Sequence, residues 1–289
     1  MNKNASFILA GLFAACAAQK SPDAYGTFEA VETIVSAEAS GKLIHLDLVE
    51  GQSVRRNQHV ATVDSTLPAL QKQELLARRQ SVRARMTSAE AQIAVVQQQI
   101  DNMQVDVQRV QNMLQDDAAT KKQLDDLLGA DKILQKQLDA ARAQRQTVVA
   151  ELAAVEANLA LLAEQLRRYR VLNPLDGTVL AKYSHVFEMT TAGKPLYKIA
   201  DIRELLLRIY VSGGQLHGVQ IGQSCTVRID DGKKYIDYPG TIIWISDAAE
   251  FTPKIIQTKE ERVNLVYAVK VRVANDGAIK IGMPGEVIF

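Results

Sequence analysis

Between Val82 and Leu114 the apolar residues fall at Val82, Met86, Ala89, Ile93, Val96, Ile100, Met103, Val107, Val110 and Leu114, in steps that alternate four and three. A second run keeps the same alternation: Leu124, Leu127, Asp131, Leu134, Leu138, Ala141, Arg145, Val148, Leu152, Val155, Leu159, Leu162, Leu166 and Tyr169. Asp131 and Arg145 are its polar intruders. A sustained period of about 3.5 residues is a coiled-coil seam and is incompatible with a strand. Gln, Arg, Asp and Lys fill most other places, as a solvated pair of helices requires.

The break between the two runs is short, so the helices must fold back antiparallel. Alignment about Ala118 and Ala119 sets Leu114 against Leu124, Ile100 against Leu138 and Met86 against Leu152. Val107 then faces Asp131 and Ile93 faces Arg145. The two polar residues either fix the register at a cost in stability or turn their side chains to water. Thr120 with Gln123 reads as a capping box that restarts the helix. Ser65 or Thr66, with Pro68 in the first turn, starts the outgoing arm. The hairpin spans 65–170 with its tip at 115–121, and each arm of about 50 residues reaches roughly 75 Å. The seam nearest the tip comprises Ile93, Val96, Ile100, Met103, Val107, Val110, Leu114, Leu124, Leu127, Leu134 and Leu138.

The flanks of the hairpin repeat one another at a constant offset of 136 residues: Gly41 matches Gly177, Leu43 Val179, Asn57 Gly193, Val60 Leu196 and Val63 Ile199. Each half has a strand after a glycine, a polar turn and a short apolar strand. Two such halves, 25–64 and 171–201, resemble the biotinyl/lipoyl-carrier sandwich, here cut open by the hairpin. Carrier domains hold a cofactor on a lysine at the turn that joins the halves. The hairpin replaces that turn, and Ala130-Asp131-Lys132 lies inside a helix, so no cofactor is expected. From residue 202 to 289 the pattern turns to short alternating strands (LLLRIYV, SCTVRI, TIIWI, VYAVKVRV, GEVIF) separated by turns such as Asp231-Gly232, which suggests a small barrel or sandwich.

At the amino terminus Lys3, the apolar Phe7–Phe13 stretch and Ala14-Ala15-Cys16 resemble a bacterial lipoprotein signal with Cys16 as the lipidated residue; an ordinary secretory signal cut near Ala18 is the alternative. Either way residues 1–18 direct the chain out of the cytoplasm. Cys225 sits in a strand pattern and reads as a small packed side chain. Lys plus Arg number 34 and Asp plus Glu 33, a balance that offers nothing to nucleic acid. His45, His59, His185 and His217 lack metal-ligand spacing, although His45 and His185 fall in the two related halves and could approach each other. G-x-S-x-G, P-loop and H-E-x-x-H patterns are absent from the sequence, so no enzymatic activity is expected.

The order of parts resembles the HlyD-type membrane fusion proteins, the periplasmic adaptor subunits of bacterial efflux and secretion systems. Ser40-Gly41 leading to Glu50-Gly51-Gln52-Ser53-Val54, Asn173-Pro174-Leu175-Asp176-Gly177, Ile221-Gly222-Gln223 and Gly282-Met283-Pro284-Gly285 carry the resemblance. The stretch from Ala249 to Tyr267 is similar to members that work with ABC-type exporters. The resemblance implies a fold class of long α-hairpin plus all-β domains: a lipoyl-like sandwich split by the hairpin, then a β-barrel. It implies a periplasmic chain, held at the inner membrane by a lipid on Cys16. Its partners would be an inner-membrane transporter, an outer-membrane channel and further copies of itself in a ring. Members dock the channel through an Arg, a Leu and a Ser at the tip; Arg109, Met113 and Thr120 hold those places here. Without the resemblance, Arg109 is one more solvated helix residue and Thr120 only a cap. A structural envelope lipoprotein and a carboxyl-carrier subunit are the rival readings.

Overall fold

The computed structural model describes residues 21–232, 234–251 and 265–289. The signal, Cys16 and much of the stretch after Ala249 therefore lie outside the described residues. The first five strands are β1 (Ala24–Glu29), β2 (Glu32–Ser36), β3 (Gly41–Leu46), β4 (Ser53–Val54) and β5 (His59–Val63). Two long helices follow, α1 (Thr66–Gln115) and α2 (Lys121–Arg167). The chain returns through β6 (Arg170–Leu172), β7 (Gly177–Lys182), β8 (Met189–Thr190) and β9 (Pro195–Ala200). It ends with β10 (Glu204–Ser212), the short α3 (Gly213–Leu216), β11 (Ser224–Asp230), β12 (Tyr235–Ile245), β13 (Glu250–Phe251), β14 (Leu265–Ala274) and β15 (Pro284–Ile288).

Two four-stranded sheets, ordered β2-β9-β7-β4 and β6-β5-β3-β8, enclose a core of Leu43, Val60, Val179, Leu196, Tyr197 and Ile199. The repeat is legible in the backbone hydrogen bonds. Gly51 N donates to Val179 O (2.8 Å) and Val179 N to Gln52 O (2.9 Å). Phe187 N likewise donates to Leu43 O (2.7 Å) and Leu43 N to Glu188 O (2.9 Å). In each correspondence (51 and 187, 52 and 188, 43 and 179) the numbers differ by 136. The same arithmetic relates the ladder Ser53↔Thr178, Val54↔Gly177 to Met189↔Lys42, Thr190↔Gly41. The hairpin leaves from β5 and returns into β6, which pair with each other, so both arms are rooted in one sheet.

The remaining, seven-stranded sheet closes on itself. Its order is β10-β1-β15-β11-β12-β14, and β14 pairs back onto β10, with β13 appended to β14. A closed barrel leaves no unpaired edge. Strand β10 shows the alternation this needs: Leu205, Leu207, Ile209 and Val211 are buried and the residues between them face outward. One boundary expected from sequence is corrected here. Residues 24–29 belong to this barrel, not to the split sandwich, because β1 pairs with both β10 and β15 and places Ala24 and Phe28 in the barrel core. Without β1, β10 and β15 would be open edges. Gly26 permits the close strand approach, since a Cβ there would stand 1.9 Å from Arg208 O.

The start of α1 also differs from expectation. Ser65 makes no capping bond; Asp64 Oδ1 accepts from Thr66 N (2.9 Å) and Thr66 Oγ1 (2.6 Å) instead. Asp64 is better placed because its longer reach meets the first amide from two residues upstream, as in an Asx turn. His45 stacks on His59, with ring centroids 5.6 Å apart, while His185 turns to Glu188 at 3.4 Å.

Candidate docking surface at the hairpin tip

Antiparallel packing of α1 and α2 builds two buried clusters. Val82, Val148 and Val155 form one nearer the root, with Met86, Leu152 and Leu159 packed on it. Val96, Ile100 and Leu138 form the other, flanked by Ile93 and Leu134. Met103, Val107, Val110, Leu114, Leu124 and Leu127 continue toward the tip half-buried, as two helices alone cannot cover a seam fully. Across the arms Arg83 meets Glu156 (3.6 Å) and Arg85 meets Glu151. Arg145 does not enter the seam. It swings out to Glu90 at 3.4 Å. Asp131 stays in the seam, where its Oδ2 accepts from Gln135 Nε2 (2.6 Å) and its Oδ1 is shielded without a partner.

By length and composition alone α2 contains a window apolar enough to cross a membrane. Val148, Val155 and Leu162 of that helix are buried while Leu161 is exposed, and Glu151 and Glu156 in the same region are paired with α1 arginines, as in a solvated coiled coil.

The tip is a defined turn. Helix α1 ends in a Schellman motif: Ala118 N donates to Met113 O (2.7 Å) and Asp117 N to Leu114 O (3.3 Å). Asp117 holds the left-handed position at φ 57° that glycine or asparagine usually takes. Helix α2 starts at once from Thr120, whose hydroxyl accepts from Gln123 N (3.3 Å) while Gln123 Oε1 accepts from Thr120 N (2.8 Å). Both helix ends are thus capped within residues 113–123.

Arg109 and Met113 lie one helical turn apart on α1, so they share a face. Arg109 is exposed and its Nη1 stands 3.1 Å from Asp106 Oδ1. Met113 is 41% exposed although its neighbour Leu114 is half-buried in the seam. Thr120 sits across the turn, exposed, its hydroxyl shared with the capping box. The three offer a cation, an apolar side chain and a hydroxyl, groups suited to shallow polar and apolar contacts. Sequence reasoning missed Asp106, legible in retrospect as an acidic residue three positions before Arg109, and the left-handed Asp117.

Burial pushes the Cys225 thiol up to about 11, away from the thiolate form. Among the described residues no His, Cys, Asp and Glu group has metal-binding geometry.

No family model matches the chain. It is similar to the UPF0194 membrane protein in the asrC 5' region of Acidithiobacillus ferridurans, 28% identical over 94% of this chain and 87% of that protein. A UPF0194 membrane protein of Citrobacter koseri is 32% identical over 120 residues, which are 41% of this chain and 36% of that protein; this match thus spans about a third of the relative's length. Among solved structures, MacA from Actinobacillus actinomycetemcomitans superposes with a TM-score of 0.59 at 21% identity, over 91% of this chain and 76% of MacA. The split sandwich, the helical hairpin rooted in it and the six-stranded barrel make up a fold that this chain shares with MacA.

Proposed function

We propose that the chain is a periplasmic adaptor that links an inner-membrane transporter to an outer-membrane channel for efflux or secretion. The observation that carries this reading is mechanical. Helices of 50 and 47 residues, at about 1.5 Å per residue, hold an ordered tip roughly 70 Å from the sheet that roots them. Arg109, Met113 and Thr120 are the residues proposed to meet the channel. The barrel and sandwich serve the transporter, for which the Ala249–Tyr267 resemblance favours an ABC type. Cys16 supplies a lipid anchor at the inner membrane. Several copies act together in a ring, so many shallow contacts add through effective concentration.

The test is photocrosslinking in intact cells from a benzoylphenylalanine placed at Met113, with a second position at Ser81 near the root. Capture of an outer-membrane channel protein from the tip and not from the root is the expected result. Failure of the tip to capture any such protein, in cells where the chain is correctly exported, would favour the envelope-spacer reading and overturn this one.

A further inference from the structure

The internal repeat gives a reference for every residue in the sandwich, and one position departs from it sharply. Gly51 (φ 83°) and Phe187 (φ 75°) occupy equivalent places and make equivalent backbone hydrogen bonds. The turn demands the left-handed region, which glycine enters freely and a bulky side chain enters only at a cost. Packing within the chain does not compensate Phe187, whose side chain leaves it 70% exposed.

The surroundings of the ring are specific. Lys42 Nζ stands 5.1 Å from the Phe187 ring centroid. Met189, the ladder partner of Lys42, is 68% exposed, and Ile44 follows Lys42 on β3, also exposed. The nearby carboxylates are already committed. Glu188 lies between His185 (3.4 Å) and Lys194 (3.6 Å), and Asp64 spends Oδ1 on Thr66. Among the described residues Lys42 makes no ion pair within 4 Å, feeling Asp64 only at longer range, and it stands beside the exposed Phe187 and Met189.

We infer that this corner is a transit contact for cargo that joins an apolar body to an acidic group, the apolar part lying on Phe187, Met189 and Ile44 and the acid meeting Lys42. Phe187, Met189 and Ile44 are all exposed, so binding is weak, as a contact that must release its cargo requires. This deepens the adaptor reading by naming a cargo class, and it rests on that reading for its biological sense.

The test uses the full chain, methyl-labelled at methionine, with laurate as the probe below its micellar concentration and monolaurin and dodecyltrimethylammonium as neutral and cationic controls. Laurate is expected to shift the Met189 methyl resonance, assigned with Met189→Leu, and to do so at lower concentration than either control. Phe187→Gly should raise the half-saturating laurate concentration at least tenfold while leaving the thermal midpoint unchanged or higher, because glycine suits the turn. Lys42→Gln should abolish the preference for laurate over monolaurin. Laurate binding that survives Phe187→Gly, shifts confined to other methionines, or equal response to all three probes would overturn the inference. So would a Met189 shift that follows protein concentration alone, which would make the corner a contact between copies. None of these outcomes bears on capture at the tip, so the adaptor reading stands or falls separately.

Discussion

Removing one buried side chain should loosen the sandwich by a predictable amount. Asn173 is fully buried, and its side chain ties together segments from both halves. Its Nδ2 donates to Arg55 O (3.0 Å) and to Leu175 O, and its Oδ1 accepts from Tyr197 Oη (2.8 Å). Replacement by alanine removes three hydrogen bonds inside the core at about 1 kcal/mol each, a net cost of about 3 kcal/mol. At about 1.4 kcal/mol per tenfold, local opening of the sandwich should become roughly a hundredfold more frequent. Hydrogen exchange followed by mass spectrometry reads this directly, as faster exchange in β5, β6 and β9 with no change in the barrel strands β10 and β14. Tyr197→Phe should cost about 1 kcal/mol by itself and nothing further in the Asn173→Ala chain, where its hydroxyl is already stranded. An acceleration below fivefold for Asn173→Ala, or equal Tyr197→Phe costs in both backgrounds, would refute the idea that this clasp holds the halves together.

Other changes carry their own expectations. Asp117→Gly relieves the left-handed residue at the tip and should stabilise the hairpin by about 1 kcal/mol, seen as slower exchange in the last turn of α1. Asp131→Leu fills the seam and removes a shielded, unpaired oxygen; a rise in the far-ultraviolet circular dichroism melting temperature is expected, of the order of 1 kcal/mol in stability. A fall would show that the carboxylate is needed where it stands. The Thr66 hydroxyl and amide hold the Asp64 carboxyl below its ordinary value. A depressed folded value gives stability that is present above about pH 4 and lost as pH falls through the folded value. Asp64→Asn should therefore lower stability at neutral pH, leave it nearly unchanged in strong acid where the contribution is already gone, and so flatten the acid limb of the unfolding profile below about pH 4.

The parts of this fold that sequence reveals are those set by local periodicity. The four-three alternation marks the residues that end up shielded between α1 and α2, because a helix pair imposes that spacing whatever surrounds it. Arg145 is the exception. The spacing counts it into the seam, but its length and charge let it leave for Glu90. The repeat at an offset of 136 is equally legible, since both halves obey the same turn geometry. What stayed hidden depends on contacts far along the chain. Ala24–Glu29 alternates like any short strand, and only the open edges of β10 and β15 decide where it pairs. Asn173 was visible in its Asn-Pro-Leu-Asp-Gly phrase, yet its role depends on Tyr197, 24 residues away. Phe187 was invisible as a left-handed residue because phenylalanine is no turn former; alignment with Gly51 was the signal that could have found it. Arg109, Met113 and Thr120 came from resemblance, and their exposure at the tip is a condition for docking, not its demonstration.

The central claim is that reach, fixed by the rod, is what this chain contributes. Deleting residues 101–107 together with 131–137 removes one matched heptad from each arm, keeps the seam in phase and shortens the rod by about 10 Å. In cells carrying benzoylphenylalanine at Met113, the shortened chain should keep its helix content and export but lose at least nine-tenths of its capture of the outer-membrane partner. Undiminished capture by the shortened, folded chain would contradict the account.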